Sequence, residues 1–262
     1  MYTYQGKTAL VTGASSGIGK AMAYALATRG MNLILVARSE KTLNEIALQL
    51  AQRHNVRTEV IAADLIQSEA VAAVQKSVQE RELVVDLLVN DAGFGSYGHF
   101  ETLDPQRDHD EVMLNAAVVV DMSHAFLPAM VARGEGAIIN ISSTGAFQPG
   151  PYMAVYGASK AFVLSFSVAL WAEYRTRGIR VVAVCPGPVD TQFFNAAGPG
   201  SQHMAAGGKK VAPEGVVAKG LSALERGQSH VVPGGLNIIS STILRLLPLG
   251  LSARMAERAL RA

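Results

Sequence analysis

Two side chains four positions apart offer acid–base chemistry: Tyr156 and Lys160, in the segment Tyr156-Gly157-Ala158-Ser159-Lys160. Residues with that spacing share one face of a helix. A free tyrosine titrates near about 10 and exchanges protons poorly at neutral pH. A neighbouring ammonium stabilises the phenolate and lowers that value. Ser143 stands thirteen residues upstream, directly after the apolar run Ala137 to Ser142. It therefore puts a second hydroxyl at the carboxyl end of an expected strand. Taken alone, the pair reads more simply as an amphipathic helix with a half-buried tyrosine and a solvated lysine.

A second group could hold a phosphate. Thr12-Gly13-Ala14-Ser15-Ser16-Gly17-Ile18-Gly19 joins an apolar strand to a helix. Glycines let a backbone turn tightly and approach a ligand, and a helix N-terminus presents free N–H groups and a positive dipole end to a pyrophosphate. The spacing is Gly-x-x-x-Gly-x-Gly rather than the commoner Gly-x-Gly-x-x-Gly. By itself it could mark only a tight turn; its place between the first strand and the first helix favours the ligand reading. At the end of the second strand, where NAD enzymes usually carry an acid for the ribose hydroxyl, stand Ala37 and Arg38. An arginine there can pair with a 2′-phosphate, so NADP(H) is expected and NAD(H) is less favoured. The plainer alternative is a solvated arginine at the sheet edge.

These residues need elements to position them. Short β-branched runs alternate with helical segments. Strands are expected at Lys7 to Thr12, Leu33 to Ala37, Val56 to Ala62, Leu83 to Val89, Ala137 to Ser142, Ile179 to Val184 and His230 to Val232. Helices are expected at Gly17 to Arg29, Ser39 to His54 (Ser39 as N-cap), Ser68 to Glu80, Pro105 to Arg133, Val155 to Arg177 and Pro213 to Arg226. Wholly apolar strands separated by helices predict an α/β fold. It is a single-domain, Rossmann-type doubly wound parallel sheet with helices on both faces, whose ligands bind at the strands' carboxyl ends. Residues 1–234 form the dinucleotide-binding and catalytic body. Within it, residues 186–212, rich in Gly and Pro, read as a substrate lid. Residues 235–262 form an apolar extension of the same domain.

Bulk properties exclude other classes. The chain has 262 residues, 49% apolar and 17% charged, with net charge +2. That balance suits one compact domain and gives no basic surface for nucleic acid. The single cysteine, Cys185, cannot form an internal disulfide. Met1 to Lys7 is no apolar signal segment, and Leu236 to Leu251 is interrupted by Arg245, Pro248 and Gly250, too broken for a spanning helix. A cytoplasmic protein is expected. The histidines are scattered, with no zinc-type spacing.

The pieces Thr12 to Gly19, Asp64, Asn90 to Gly93, Asn115, Ser143, Tyr156 to Lys160 and Cys185 to Thr191 resemble, in order and separation, a short-chain dehydrogenase/reductase. The likeness runs to about Pro233, and its finer affinity is with the ketoacyl and hydroxysteroid reductase-like branch. The resemblance implies a catalytic set of Asn115, Ser143, Tyr156 and Lys160. Tyr156 would exchange the proton with the carbonyl oxygen and Ser143 would hold that oxygen. Lys160 would bind the nicotinamide ribose and lower the tyrosine pKa, while Asn115 would fix a water behind Lys160. Cofactor contacts would fall on Gly13, Ser15, Ser16, Gly17, Ile18, Gly19, Arg38, Asp64, Leu65, Asp91, Ala92 and Gly93. Pro186, Gly187, Val189, Thr191, Tyr156 and Lys160 complete that set. The family prior adds a homodimer or homotetramer.

Two departures stand out. Asp91 occupies a position where the family commonly has Asn, and a carboxylate cannot donate the amide hydrogen bond. Ser142 and Ser143 are adjacent, and the spacing to Tyr156 selects Ser143. Aromatic residues crowd the loops after the strands: Phe94, Tyr97, Phe147, Tyr152 and Phe193 are candidate substrate contacts, with Phe100 and Phe194 nearby. Such a lining suits a small apolar ketone, aldehyde or alcohol. Leu236, Ile238, Ile239, Ile243, Leu246 and Leu247 in the tail need cover. A pocket or subunit interface is favoured over a membrane surface met by Arg254, Arg258 and Arg261. The expected activity is NADPH-dependent carbonyl reduction or its reverse. An NAD-linked alcohol dehydrogenase and a non-catalytic cofactor sensor are the alternatives.

Overall fold

The structure is a computed structural model that describes residues 2–191, 193, 197, 201, 211–235, 237 and 247–261. Seven parallel strands form one sheet in the order β3-β2-β1-β4-β5-β6-β7. They are β1 (Thr8–Thr12), β2 (Asn32–Ala37), β3 (Thr58–Ala62), β4 (Leu87–Asn90), β5 (Gly136–Ile141), β6 (Ile179–Val184) and β7 (His230–Val231). The helices are α1 (Gly17–Ala27), α2 (Glu40–His54), α3 (Ala70–Glu80), α4 (Pro105–Val112), α5 (Val118–Arg133) and α6 (Ala154–Tyr174). Two more, α7 (Pro213–Glu225) and α8 (Leu249–Leu260), follow.

Alternation along the strands loads both faces. In β1, Ala9 and Val11 join the core under α1, α2 and α7, while Leu10 joins the core under α3, α5 and α6. Successive strand side chains point to opposite faces, so the unbroken apolar runs need helices on both sides. The chain winds from β1 outward to β3, then returns beside β1 as β4. That reversal opens a crevice at the carboxyl ends of β1 and β4, where ligands bind in such sheets.

The third strand begins at Thr58 rather than Val56 and α3 at Ala70 rather than Ser68, and three further expectations shift. The fourth strand begins at Leu87, because Glu82 takes a left-handed φ of 52° and the Leu83 amide donates to Val78 O, closing α3 instead. The single helix expected over Pro105 to Arg133 is two helices separated by a π turn at Met113–Ala117. Residue 154 rather than 155 begins α6. Ser39 does cap α2, accepting from the Thr42 amide at 3.4 Å.

The tail places one helix, α8, against the body. Ser252 and Ala256, four apart on α8, are buried, and Tyr97 Oη donates to Leu260 O at 2.6 Å. Phe194, Leu236, Ile238, Ile239, Ile243 and Leu246 lie outside the described residues, as does most of the expected lid.

Candidate active site

Helix α6 is pinned to the sheet before it presents anything to the crevice. Asn90 Nδ2 donates to Asn140 Oδ1 at 2.8 Å, and Asn140 Nδ2 donates to Ser167 Oγ at 2.9 Å. Ser142 Oγ donates to Lys160 O at 2.7 Å. Buried polar links of this kind set register because each leaves an unpaired group if the helix slides. They also separate the two serines. Ser142 is committed to the α6 backbone, whereas Ser143 accepts from the Gly145 amide at 3.0 Å and lies with the Tyr156 ring over Gly145.

With α6 held, Tyr156 and Lys160 lie side by side, the Lys160 Nζ 5.8 Å from the tyrosine ring centroid. Lys160 is buried and its ammonium donates to Ile141 O at 3.0 Å. Burial pushes Lys160 down to about 8, opposed by the Asp91 and Glu111 carboxylates. Tyr156 is half-buried, and burial pushes its hydroxyl up to about 12, with the Ser143 hydrogen bond opposing the rise. The net shift of Tyr156 in the free protein is therefore upward, set by desolvation.

Asn115 lies in the π turn and is fully buried. Its Oδ1 accepts from the Phe94 amide at 3.2 Å, and its Nδ2 donates to Phe94 O at 2.8 Å and Ser159 Oγ at 3.2 Å. Ser159 Oγ in turn donates to Tyr156 O at 2.8 Å. Asn115 thus clamps the turn after β4 to the first turn of α6. Extra-residue π turns often mark functional positions.

The glycine turn meets this group from β1. Gly13 and Gly17 have φ of 68° and 55°, which glycine adopts without penalty. Ser16 stands at the N-cap of α1 yet makes no side-chain cap, and the first turn holds no acid. The Gly17 and Ile18 N–H groups at the start of α1 thus lack a capping side chain, as an anion site requires, while the Gly19 amide faces the Asp91 carboxylate. Thr191 Cγ2 sits 3.2 Å from where a Gly17 Cβ would be, and Asn115 Oδ1 2.6 Å from a Gly93 Cβ. At both positions the backbone packs so closely on its neighbour that a side chain would not fit. Arg38 is exposed at the end of β2, in no ion pair among the described residues.

Asp91 explains its own departure. Its carboxylate accepts from the Gly19 amide, and burial pushes it up to about 7 despite the Lys160 charge. The Asp91 and Ala92 amides donate to Thr12 Oγ1 at 3.0 and 3.1 Å. Asp64 accepts from the Ile66 amide at 3.4 Å, while the Leu65 side chain is buried in the core, so Leu65 offers a ligand only its backbone. Val189 is likewise buried, bridged to Val211. Pro186 O accepts from the Thr144 amide at 2.8 Å, and Gly187 follows it beside Asn237.

The aromatic candidates divide. The Phe193 ring lies 5.1 Å from the Tyr156 ring, and Phe94 lies under the Arg107 guanidinium at 4.7 Å. Phe147 is corrected: it is buried with Leu164, Cys185 and Val232 as core. Tyr97 is also buried, holding α8. Tyr152, with a left-handed φ of 64°, meets His99 edge-on. Sequence reasoning missed Ser159 and the buried carboxylates Asp108 and Glu111. The signal for Glu111 was a charge one helical turn before Asn115.

Comparison with known proteins matches the geometry. A family model described as short chain dehydrogenase matches residues 7–201. The very-long-chain 3-oxoacyl-CoA reductase-A of Danio rerio is 34% identical over 97% of this chain and 80% of its own. The inactive hydroxysteroid dehydrogenase-like protein 1 of Homo sapiens is 39% identical over 72% of this chain, which spans only 57% of that protein. A short-chain dehydrogenase from Sphingobium yanoikuyae, solved with NADPH, superposes with TM-score 0.81 at 31% identity, covering 92% of this chain and 96% of its own. The bulky-bulky ketone specific alcohol dehydrogenase from Comamonas testosteroni gives 0.77 at 30%, covering 96% and 98%.

Proposed function

The chain belongs to the short-chain dehydrogenase family, and from that membership we propose that it reduces the carbonyl of a bulky apolar ketone with NADPH. The cofactor supplies the hydride. The turn from Gly13 to Gly19 holds its pyrophosphate on the α1 N-terminus, and Arg38 pairs with its 2′-phosphate. Support comes from the absence of an acid after β2, from the uncapped start of α1, and from the NADPH in the Sphingobium enzyme.

The rest is done by this chain's own side chains. Ser143 donates to the carbonyl oxygen and fixes it beside Tyr156. Tyr156 passes its phenolic proton to that oxygen as negative charge develops. Lys160 bears on the ribose and stabilises the tyrosinate left behind, and Asn115 holds the segment at Phe94 that borders the site. The observation that carries the reading is the meeting of Ser143 Oγ and the Tyr156 ring over Gly145, 3.4 and 3.8 Å from its Cβ position, beside a buried lysine. A tyrosine protonated at neutral pH can serve as the acid of the reduction.

The substrate class follows from the aromatic lining by Phe94 and Phe193 and from the Comamonas enzyme's preference for bulky ketones. The Danio relative favours a second candidate, a 3-oxoacyl thioester. Exposed Phe162, which stacks on Phe166 at 5.9 Å on the outer face of α6, suits association of subunits. The assay is NADPH oxidation with aryl ketones and 3-oxoacyl thioesters, on the wild type and on Tyr156→Phe. Turnover that falls by about a thousandfold or more in the variant, with NADPH binding retained, supports the reading. Binding of NADPH with no turnover of any ketone by the wild type would leave a cofactor sensor, a reading that the inactive human relative raises.

A further inference from the structure

The catalytic set leaves a second polar cluster unexplained. Ser96, Asp108 and Glu111 are 4%, 8% and 0% exposed. Ser96 Oγ, Asp108 Oδ1 and both Glu111 carboxylate oxygens lack a hydrogen-bond partner. Ser96 eases the Glu111 charge without completing a hydrogen bond to it. Burial is the main cause that pushes Glu111 up to about 7, and Asp108 adds to it. Asp108 and Glu111 are three apart on α4 and share a face. Interior carboxylates are almost always paired, because desolvating an unpaired one is costly. Arg107, on the same helix, donates to Gly95 O at 3.2 Å and covers Phe94.

Ser96 and Asp108 also line a cavity of about 130 Å³, together with Leu103, Tyr152, Ala154 and Val155. That is close to the size of an engineered cavity that holds one benzene ring, about 150 Å³. The residues of the cavity wall are chain neighbours of the reacting centre on two sides. Ala154 and Val155 run directly into Tyr156, and a Cβ on Gly95, the neighbour of Ser96, would stand 3.2 Å from Tyr156 Cδ2. A substrate whose carbonyl met Tyr156 would reach the cavity within the span of one or two residues.

We propose that this cavity receives the far end of the carbonyl substrate, and that this end carries a hydrogen-bond donor, hydroxyl or ammonium, accepted by Asp108 and Ser96. The proposal rests on the reductase reading above. It explains why Asp108 Oδ1 is buried at the cavity wall without a donor, and it excludes substrates that end in an acid. It narrows the substrate to an apolar ketone of ring-sized bulk with one donor group.

The test uses aryl ketones of one skeleton that end in hydrogen, hydroxyl, ammonium or carboxylate, with kcat/KM measured in wild type, Asp108→Leu, Asp108→Asn and Ser96→Ala. The wild type is expected to prefer the hydroxyl and ammonium ends over hydrogen by about tenfold or more, the range of one hydrogen bond to a charged group. It should disfavour the carboxylate end. Asp108→Leu should bring both preferences close to one, and Asp108→Asn should remove the ammonium preference more than the hydroxyl one. Thermal melting of the free proteins checks folding, and an orphaned carboxylate predicts a higher Tm for Asp108→Leu, whereas a structural one predicts a lower Tm. Ketones turned over without donor preference, or a preference that survives Asp108→Leu, overturn the proposal and leave the reductase reading standing. Should no ketone turn over, the reductase reading fails, and calorimetric titration with 3-phenylpropylamine decides the cavity. Saturable binding lost in Asp108→Asn keeps it as a site, and absence of binding overturns it.

Discussion

At the residue scale, the candidate chemistry depends on which burial costs the site tolerates. Asp91 is the sharpest case. Its folded pKa, raised to about 7, exceeds the unfolded value near about 3.9. The folded state therefore binds the proton more tightly, and stability falls as pH rises between those values, then levels off above the higher one. Asp91→Asn removes a group whose ionisation is resisted but keeps an oxygen for the Gly19 amide. The variant is expected to match wild type near pH 4 and to exceed it by about 1–3 kcal/mol at pH 8, read from urea unfolding at both pH values. A variant less stable at pH 8 would show that the charge on Asp91 is needed beneath the turn. Lys160 sets a second dependence. Its value near 8 means the ammonium is lost as pH rises through that point, so reductive kcat/KM should fall there. The limb should disappear in a Lys160→Arg variant that retains activity. The catalytic set could be read from the chain because Tyr156, Lys160 and Ser143 lie close in sequence. The direction of the Tyr156 shift could not, because it depends on how much water the fold removes.

At the element scale, the helices taught the opposite lesson. The apolar stretch from Pro105 to Arg133 shows one helical periodicity, and the extra residue that makes the π turn at Met113–Ala117 carries no glycine or proline to announce it. Tertiary demand creates it, since Asn115 must reach both the amide and the carbonyl of Phe94. Local signals were enough where a cap residue was involved, as at Ser39. They failed for β4, where the apolar run Leu83 to Val85 looked like strand but serves to close α3. Truncating the clamp should be costly. Asn115→Ala leaves two buried backbone groups unpaired and is expected to lose about 2–4 kcal/mol of stability. It should also speed hydrogen exchange at the Phe94 amide far more than at Leu10 in β1. Equal exchange at both would mean that the clamp is not what orders the turn after β4.

At the scale of the whole molecule, the strand order turns scattered residues into one site. Gly13 follows β1, Arg38 follows β2, Asp91 follows β4, Ser143 follows β5 and Pro186 follows β6. All of them emerge at the carboxyl edge on either side of the winding reversal. The periodicity predicted that arrangement, because a parallel sheet sends every strand's end to the same edge. Cofactor choice is a property of this edge as a unit, and Arg38 is its exposed cation after β2. If the edge reads a 2′-phosphate, NADPH at about a hundred times its dissociation constant should stabilise the fold by about 2.7 kcal/mol, raising Tm by about 5–10 °C. NADH at the same concentration should raise it far less. Arg38→Asp exchanges a phosphate partner for a ribose-hydroxyl partner. It should weaken NADPH by about a hundredfold and bring NADH level with it or ahead. Equal protection of the wild type by both dinucleotides would make Arg38 a solvated bystander. The NAD-linked alcohol dehydrogenase would then be the better reading of the same edge.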